Sequence, residues 1–283
     1  MPIAYPEVLD LKAEGRSFAW TDRETMLYAL GIGLGGDPMN ETELPFVYEN
    51  GLKAVPTLAT VVAWGAGPGI GKMGINYLLV VHGSQKVEWH RPMPTEAKIT
   101  ADSRVIGAYD KGPKGAIIFS ETVLKLEGTG EKLATLTSST FARGDGGFGG
   151  PADGAPEPHE VPNRAPDQSI DLDTRPDQAL LYRLSGDRNP LHSDPNIARM
   201  AGFPRPILHG LCTYGLTCRA VLQTYAEYQP ERIKSHEARF SSPEFPGETL
   251  TVDLWKAGDV ISFEARVKAR NVTVIKNGRT VLG

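Results

Sequence analysis

The sequence predicts an α+β protein made of two tandem copies of one unit, each a curved antiparallel sheet wrapped around a helix. Three observations carry this. Segments of the first half recur in the second about 150 residues later. Each half runs helix, helix, then strands. A stretch rich in glycine and proline lies between the halves.

The recurrences keep the same order. Leu27-Tyr28-Ala29-Leu30 resembles Leu181-Tyr182-Arg183-Leu184, and Pro56 to Gly65 resembles Pro206 to Gly215. Pro92-Met93-Pro94 before TEAKIT resembles Pro243-Glu244-Phe245-Pro246 before GETLT. The segment 144–166, GDGGFGGPADGAPEPHEVPNRAP, has almost no apolar periodicity and reads as a linker. The boundaries are then residues 1–143 for the first unit, 144–166 for the linker and 167–283 for the second unit.

A short helix opens each unit, around 22–30 and 175–184. A largely apolar helix follows, around 56–64 and 207–227. Apolar residues occupy most faces of both, so both are expected to be buried. Strand-rich runs come last, over 75–90, 96–109, 115–127 and 131–142 in the first unit. In the second they cover 234–241, 248–256, 259–268 and 270–282. Alternation is plain in Thr251 to Trp255 and in Ile261 to Val267. Asn277-Gly278 fits a two-residue hairpin turn.

Composition excludes several classes. At 283 residues, with 40% hydrophobic and 23% charged, the chain can bury a sizeable core. Its net charge of −4 and lack of a dense Lys/Arg run argue against a nucleic-acid partner. No apolar stretch reaches the roughly 18 residues of a membrane span. The opening Met1 to Glu7 lacks a signal-peptide pattern, and Val281-Leu282-Gly283 is not a Ser-Lys-Leu type signal. Two cysteines, Cys212 and Cys218, are too few for a disulfide scaffold or a structural zinc site, so a reducing cytoplasm is the expected setting.

Gly31-Ile32-Gly33-Leu34-Gly35-Gly36 matches G-x-G-x-x-G, but the residues before it read as helix and no βαβ unit follows. It is therefore read as a helix exit and not as a dinucleotide site. More informative is Asp187-x-Asn189-Pro190-x-His192. Pro190 disfavours helical geometry at Asn189, so the segment should turn and converge three polar side chains. Asp and His could share general acid and base work on a water. The same residues could instead make Asx turns before Pro190, with His192 packing locally.

Downstream, Pro204 to Gly210 leads into the buried helix. The first N–H groups of a helix lack internal partners and carry positive partial charge. Gly210 would let a ligand approach its N–H closely, as an oxyanion donor. The alternative for Gly210 is close helix–sheet packing. Thr60 stands at its matching position in the first unit, which also lacks the Asp-Asn-His turn, so chemistry is assigned to the second unit.

These residues resemble a known family. Asp187-x-Asn189-Pro190-Leu191-His192-x-Asp194-Pro195, followed by Gly202-Phe203-x-x-Pro206-Ile207-Leu208-His209-Gly210, is similar to the signature of MaoC-like hydratase 2 enzymes. These are (R)-specific 2-enoyl-CoA hydratases, including the hydratase portion of peroxisomal multifunctional enzyme type 2. Glu43 to Glu49, Leu79 to Gly83, Tyr109 to Gly112, Arg143 to Gly150, Ala238 to Phe240 and Phe245 to Leu250 extend the resemblance over nearly the whole chain.

The resemblance implies a double hot-dog fold and reversible hydration of trans-2-enoyl-CoA to (3R)-3-hydroxyacyl-CoA. It implies Asp187 and His192 as the pair holding the water, Asn189 orienting the turn, the water or His192, and the Gly210 N–H facing the thioester oxygen. His82, Gly83, Lys111 and Phe240 match positions that contact acyl-CoA. Asp194 and His209 are motif members read as structural. Arg143 joins Lys111 on our own inference as a source of positive charge for the CoA phosphates, the alternative being a solvated arginine. No metal or redox cofactor is expected. A homodimer is, because hot-dog proteins commonly pair.

Alternatives stay within reach of the same parts. The substrate could be a branched, dicarboxylic or carrier-protein-bound acyl thioester. Bulk around the apolar helix of the first unit, including Trp64, would argue for a short chain, and an open tunnel there for a long one. A thioesterase would aim water at the carbonyl carbon, and a non-catalytic acyl-CoA-binding module would not need the intact Asp187, Asn189, His192 and Gly210 set.

Overall fold

The computed structural model describes residues 3–76 and 79–283. Ten strands form one antiparallel sheet. The first unit contributes β1 (Lys12–Trp20), β2 (Val80–Trp89), β3 (Ala97–Asp110), β4 (Ala116–Leu126) and β5 (Lys132–Ala142). The second contributes β6 (Gln168–Asp173), β7 (Ile233–Phe240), β8 (Thr249–Ala257), β9 (Val260–Val267) and β10 (Val272–Leu282). Their order across the sheet is β1-β3-β4-β5-β2-β7-β10-β9-β8-β6. This order reads the same from either edge once 1–5 are matched to 6–10, so the duplication is written into the sheet. The seam is β2 against β7, with Ser84 opposite Arg239 and Glu88 opposite Ser235.

Four α-helices are α1 (Asp22–Gly31), α2 (Gln178–Tyr182), α3 (Pro195–Met200) and α4 (Gly210–Thr224). Glu24 accepts from the Thr21 N–H at 2.9 Å, a capping-box contact that starts α1. Gly31 is the last residue of α1, and Gly33 and Gly35 adopt positive φ just beyond it, so the glycine run is the helix exit expected. The α4 helix is buried through most of its length. It packs against β7 to β10, where β8 and β9 bury Val252, Leu254, Ile261, Phe263 and Ala265 and His236 of β7 lies 3.1 Å from the Thr217 hydroxyl of the helix. One apolar core joins both units, from Leu58 and Val87 to Tyr214 and Ile275. This is the double hot-dog architecture.

The first unit departs from its copy at the central helix. The helix expected over 56–64 is only a 3-10 turn, Pro56–Thr60, continued by non-helical turns to Gly65. Thr57, Thr60, Val61 and Val62 are β-branched and lose side-chain freedom in a helix, and Gly65, Gly67 and Gly69 then break the path. The space left open becomes a cavity of about 300 Å3 over the first sheet.

Other differences are smaller. Of the run expected over 75–90, Val80–Trp89 is strand and residues 77–78 lie outside the described residues. Asn277-Gly278 is not a hairpin turn but a bulge inside β10. Asn277 has φ 57°, and the register shifts there against both β7 and β9. Gly278 has no room for a side chain, since a Cβ would lie 2.2 Å from the Phe263 ring. The two edge strands, β1 and β6, were not expected. Each is half solvent-facing and short of apolar alternation.

Candidate active site

The turn before α3 is built by its own polar side chains. The Asn189 N–H donates to Asp187 Oδ1 at 3.0 Å, and Asn189 Oδ1 accepts from the Leu191 N–H at 3.0 Å. Pro190–His192 then forms one 3-10 turn. Asp194 caps α3 by accepting from the Asn196 N–H at 2.7 Å. The Asx turns and the convergence of functional groups are therefore both present, because the turns aim the groups. Asp187 Oδ2 lies 3.9 Å from His192 Nε2. Asn189 itself is exposed, with its side-chain oxygen used by the turn.

His192 is held from behind. Its Nδ1 is 2.9 Å from the Ile207 carbonyl, an acceptor only, so Nδ1 carries the proton and Nε2 is left as an acceptor. Burial lowers its pKa and favours the neutral ring. The His209 ring stacks on it, with centroids 3.7 Å apart and planes 26° apart. His209 Nε2 donates to the Asp187 carbonyl at 3.1 Å, and burial pushes its pKa down to about 3. His209 thus ties the Asp187 backbone, the His192 ring and the start of α4 together. The sequence held it in the motif, but nothing in spacing indicated a stacking contact.

Asp187, His192 and His209 offer possible metal-ligand atoms within 4.8 Å of one another. Each ring, however, already commits one nitrogen to a backbone carbonyl, His192 Nδ1 to Ile207 and His209 Nε2 to Asp187.

Gly210 opens α4 directly after His209, and its N–H has no acceptor among the described residues. A Cβ there would lie 3.2 Å from the Phe240 ring. That ring lies 4.7 Å from the His82 ring. The sheet seam therefore brings His82 of β2 and Phe240 of β7 to the helix start. His82 Nε2 is buried with no hydrogen-bond partner, and burial pushes the ring's pKa down to about 4.

The remaining candidates lie elsewhere. Gly83 is the bulged residue between His82 and Ser84, and a Cβ would meet Ser139 Oγ at 2.6 Å. Its smallness serves strand packing. Lys111 donates to the Ala152 carbonyl in the linker and stands 5.9 Å from the Tyr109 ring. Arg143 is exposed, with no side-chain partner among the described residues.

The cavity of the first unit meets this site. His82 and Leu211, next to Gly210, line it, as does Trp64. Trp64 also packs on Gly186, beside Asp187, where a Cβ would come within 3.0 Å of it.

A double hot-dog sheet with Asp187 and His192 at the head of the long buried α4, opening on a cavity in the other unit, suits an acyl-thioester hydro-lyase. Comparisons with known proteins agree. Residues 18–144 match the MFE-2 hydratase 2 N-terminal domain, and residues 158–278 match the MaoC like domain. The chain is 41% identical to Enoyl-CoA hydratase ChsH3 of Mycobacterium tuberculosis over 284 residues, covering 98% of each. It is 39% identical to the peroxisomal Enoyl-CoA hydratase 2 of Arabidopsis thaliana, covering 91% of this chain and 89% of that one. The crystal structure of a MaoC-like dehydratase from Phytophthora capsici superposes with a TM-score of 0.88 at 34% identity, covering 98% of both. The chain belongs to the MaoC-like hydratase 2 family.

Proposed function

We propose that the protein adds water reversibly across trans-2-enoyl-CoA to give (3R)-3-hydroxyacyl-CoA. The observation that carries this is the pairing of two acceptors, Asp187 Oδ2 and His192 Nε2, 3.9 Å apart. One water can donate to both, which leaves its lone pair free to attack the electrophilic β-carbon. Charge built on the thioester oxygen falls to the Gly210 N–H, at the positive end of the 15-residue α4. As the C–O bond forms at the β-carbon, one water O–H bond breaks and its proton passes to the Asp187–His192 pair, which returns a proton to the α-carbon as the π bond is consumed. Water held on one side of the enoyl plane gives one enantiomer.

The acyl chain would enter the first-unit cavity past Trp64, with His82 and Phe240 against the thioester. Asn189 would act through the turn it caps. Arg143 is free to meet CoA phosphates, with Lys111 nearer the linker. No redox or metal group is required by this chemistry. No helix among the described residues is long and apolar enough to cross a membrane. A cytoplasmic setting and a homodimer complete the proposal. Both cysteines are free and buried, and light scattering on the purified chain reads the assembly.

The test follows loss of enoyl-thioester absorbance with trans-2-enoyl-CoAs of several lengths and assigns the product's chirality. Hydration to the (3R) product is expected. Release of free CoA thiol without a hydroxyacyl product would replace this reading with a thioesterase.

A further inference from the structure

The cavity that replaces the first-unit helix is two-faced. Its roof is apolar, with Ala63, Trp64, Ala66 and Leu211. Its floor is the inner face of the first sheet, and there the strands present polar side chains in cross-strand register. Gln85 of β2 stands opposite Ser138 of β5, and Ser138 opposite Ser120 of β4. In the next row, Thr122 of β4 stands opposite Ser103 of β3. All five line the cavity. In the second unit the sheet face under α4 carries buried Val252, Leu254, Ile261, Phe263 and Ala265, and its polar members, His236 and Thr280, are paired with each other, His236 also with Thr217 of α4.

A surface built only to hold a hydrocarbon chain would not present unpaired hydroxyls. The first unit instead offers two serine hydroxyls that no described residue uses. Ser120 Oγ and Ser138 Oγ have no hydrogen-bond partner among the described residues, and the Thr122 hydroxyl is paired only with Ser103 Oγ, at 2.9 Å. His82 Nε2 at the cavity's inner end is buried and unpartnered as well. A plain alkyl chain would strip water from these groups and return nothing. The described lining holds no Lys or Arg, so a carboxylate on the chain would find no counter-charge.

Resting on the hydratase reading above, we infer that the preferred substrate is an enoyl thioester whose acyl chain carries neutral oxygen functions, hydroxyl or carbonyl, beyond the double bond. Ser120, Thr122 and Ser138 recognise those oxygens, while Gln85, whose Nε2 already donates to the Lys86 and Thr137 carbonyls, supports the floor beside them. The apolar roof covers the chain's hydrocarbon side. A site with placed hydrogen-bonding groups discriminates strongly against an analogue lacking the matching oxygen.

The test compares kcat/KM for trans-2-decenoyl-CoA with a series carrying one hydroxyl, walked from mid-chain to chain end, and with the ω-carboxylate. At least one hydroxylated member is expected to exceed the parent by about tenfold. In Ser138→Ala and Thr122→Val that ratio should fall about threefold or more. The ratio is taken on one preparation, so partial loss of folded protein cancels. A parent chain equal to or better than every hydroxylated member overturns the inference, as does a preference that both variants leave intact. Preference for the ω-carboxylate overturns the neutral-oxygen assignment. If no member is hydrated at all, the hydratase reading fails first and takes this inference with it.

Discussion

His209 stacks on His192 at 3.7 Å while its own Nε2 holds the Asp187 carbonyl, so one ring fixes both partners of the proposed catalytic pair. His209→Phe keeps a ring to stack but loses the hydrogen bond. We expect kcat to fall about tenfold with KM nearly unchanged, since the contact sets geometry and not substrate affinity. Steady-state kinetics on crotonyl-CoA separates the two parameters. A change confined to KM would place His209 in binding instead.

Asp187→Asn and His192→Ala each remove one acceptor for the water. Turnover should drop by about 10²–10⁴ with the fold intact, which circular dichroism and a thermal melt would verify. Near wild-type kcat in either variant sinks the assignment. Asn189→Ala acts only through the turn, so a smaller loss is expected of it.

The neutral ring is the working form of His192, and burial holds its pKa below the ordinary 6.5. The acid limb of kcat/KM should therefore lie below pH 6.5, with a plateau through neutrality. An acid limb centred above 6.5 would mean that the ring is stabilised as the cation.

Glu244 is buried beside α4, where Thr213 Oγ1 donates to it at 2.7 Å, and burial pushes its carboxyl up to about 8. The folded protein keeps a proton that the unfolded chain releases near pH 4.5. Stability from this group is then full below about 4.5 and lost as pH rises toward 8. Glu244→Gln removes that dependence. Its stability relative to wild type should rise with pH across this window, by up to about 1.4 kcal/mol per unit. Urea unfolding at the two ends of the window checks it, and a constant difference would refute it.

What the sequence disclosed, and what it hid, follows from the range of the forces involved. The Asp187 to His192 turn was legible because Pro190 and two Asx residues act within a few positions. The α4 helix was legible because it is apolar on most faces. The 56–64 segment was misread because it is equally apolar, and apolarity reports burial and not helicity. Only its β-branched residues and trailing glycines hinted otherwise. Asn277-Gly278 has turn chemistry, yet the strand continues through it because β7 and β9 pair on both sides. The His209 stack and the serine floor were hidden, since each is assembled from residues far apart in the chain.

The β2–β7 seam has an evolutionary reading. Two identical single units meeting at that seam would form a symmetric dimer, in which any change to one sheet is imposed on the other. Fusing them into one chain released that constraint. One unit could give up its central helix and become a container, while its twin kept the helix whose first N–H the chemistry needs. The asymmetry at Pro56–Thr60 and Gly210 is thus a division of labour that an unfused ancestor of identical subunits could not have reached.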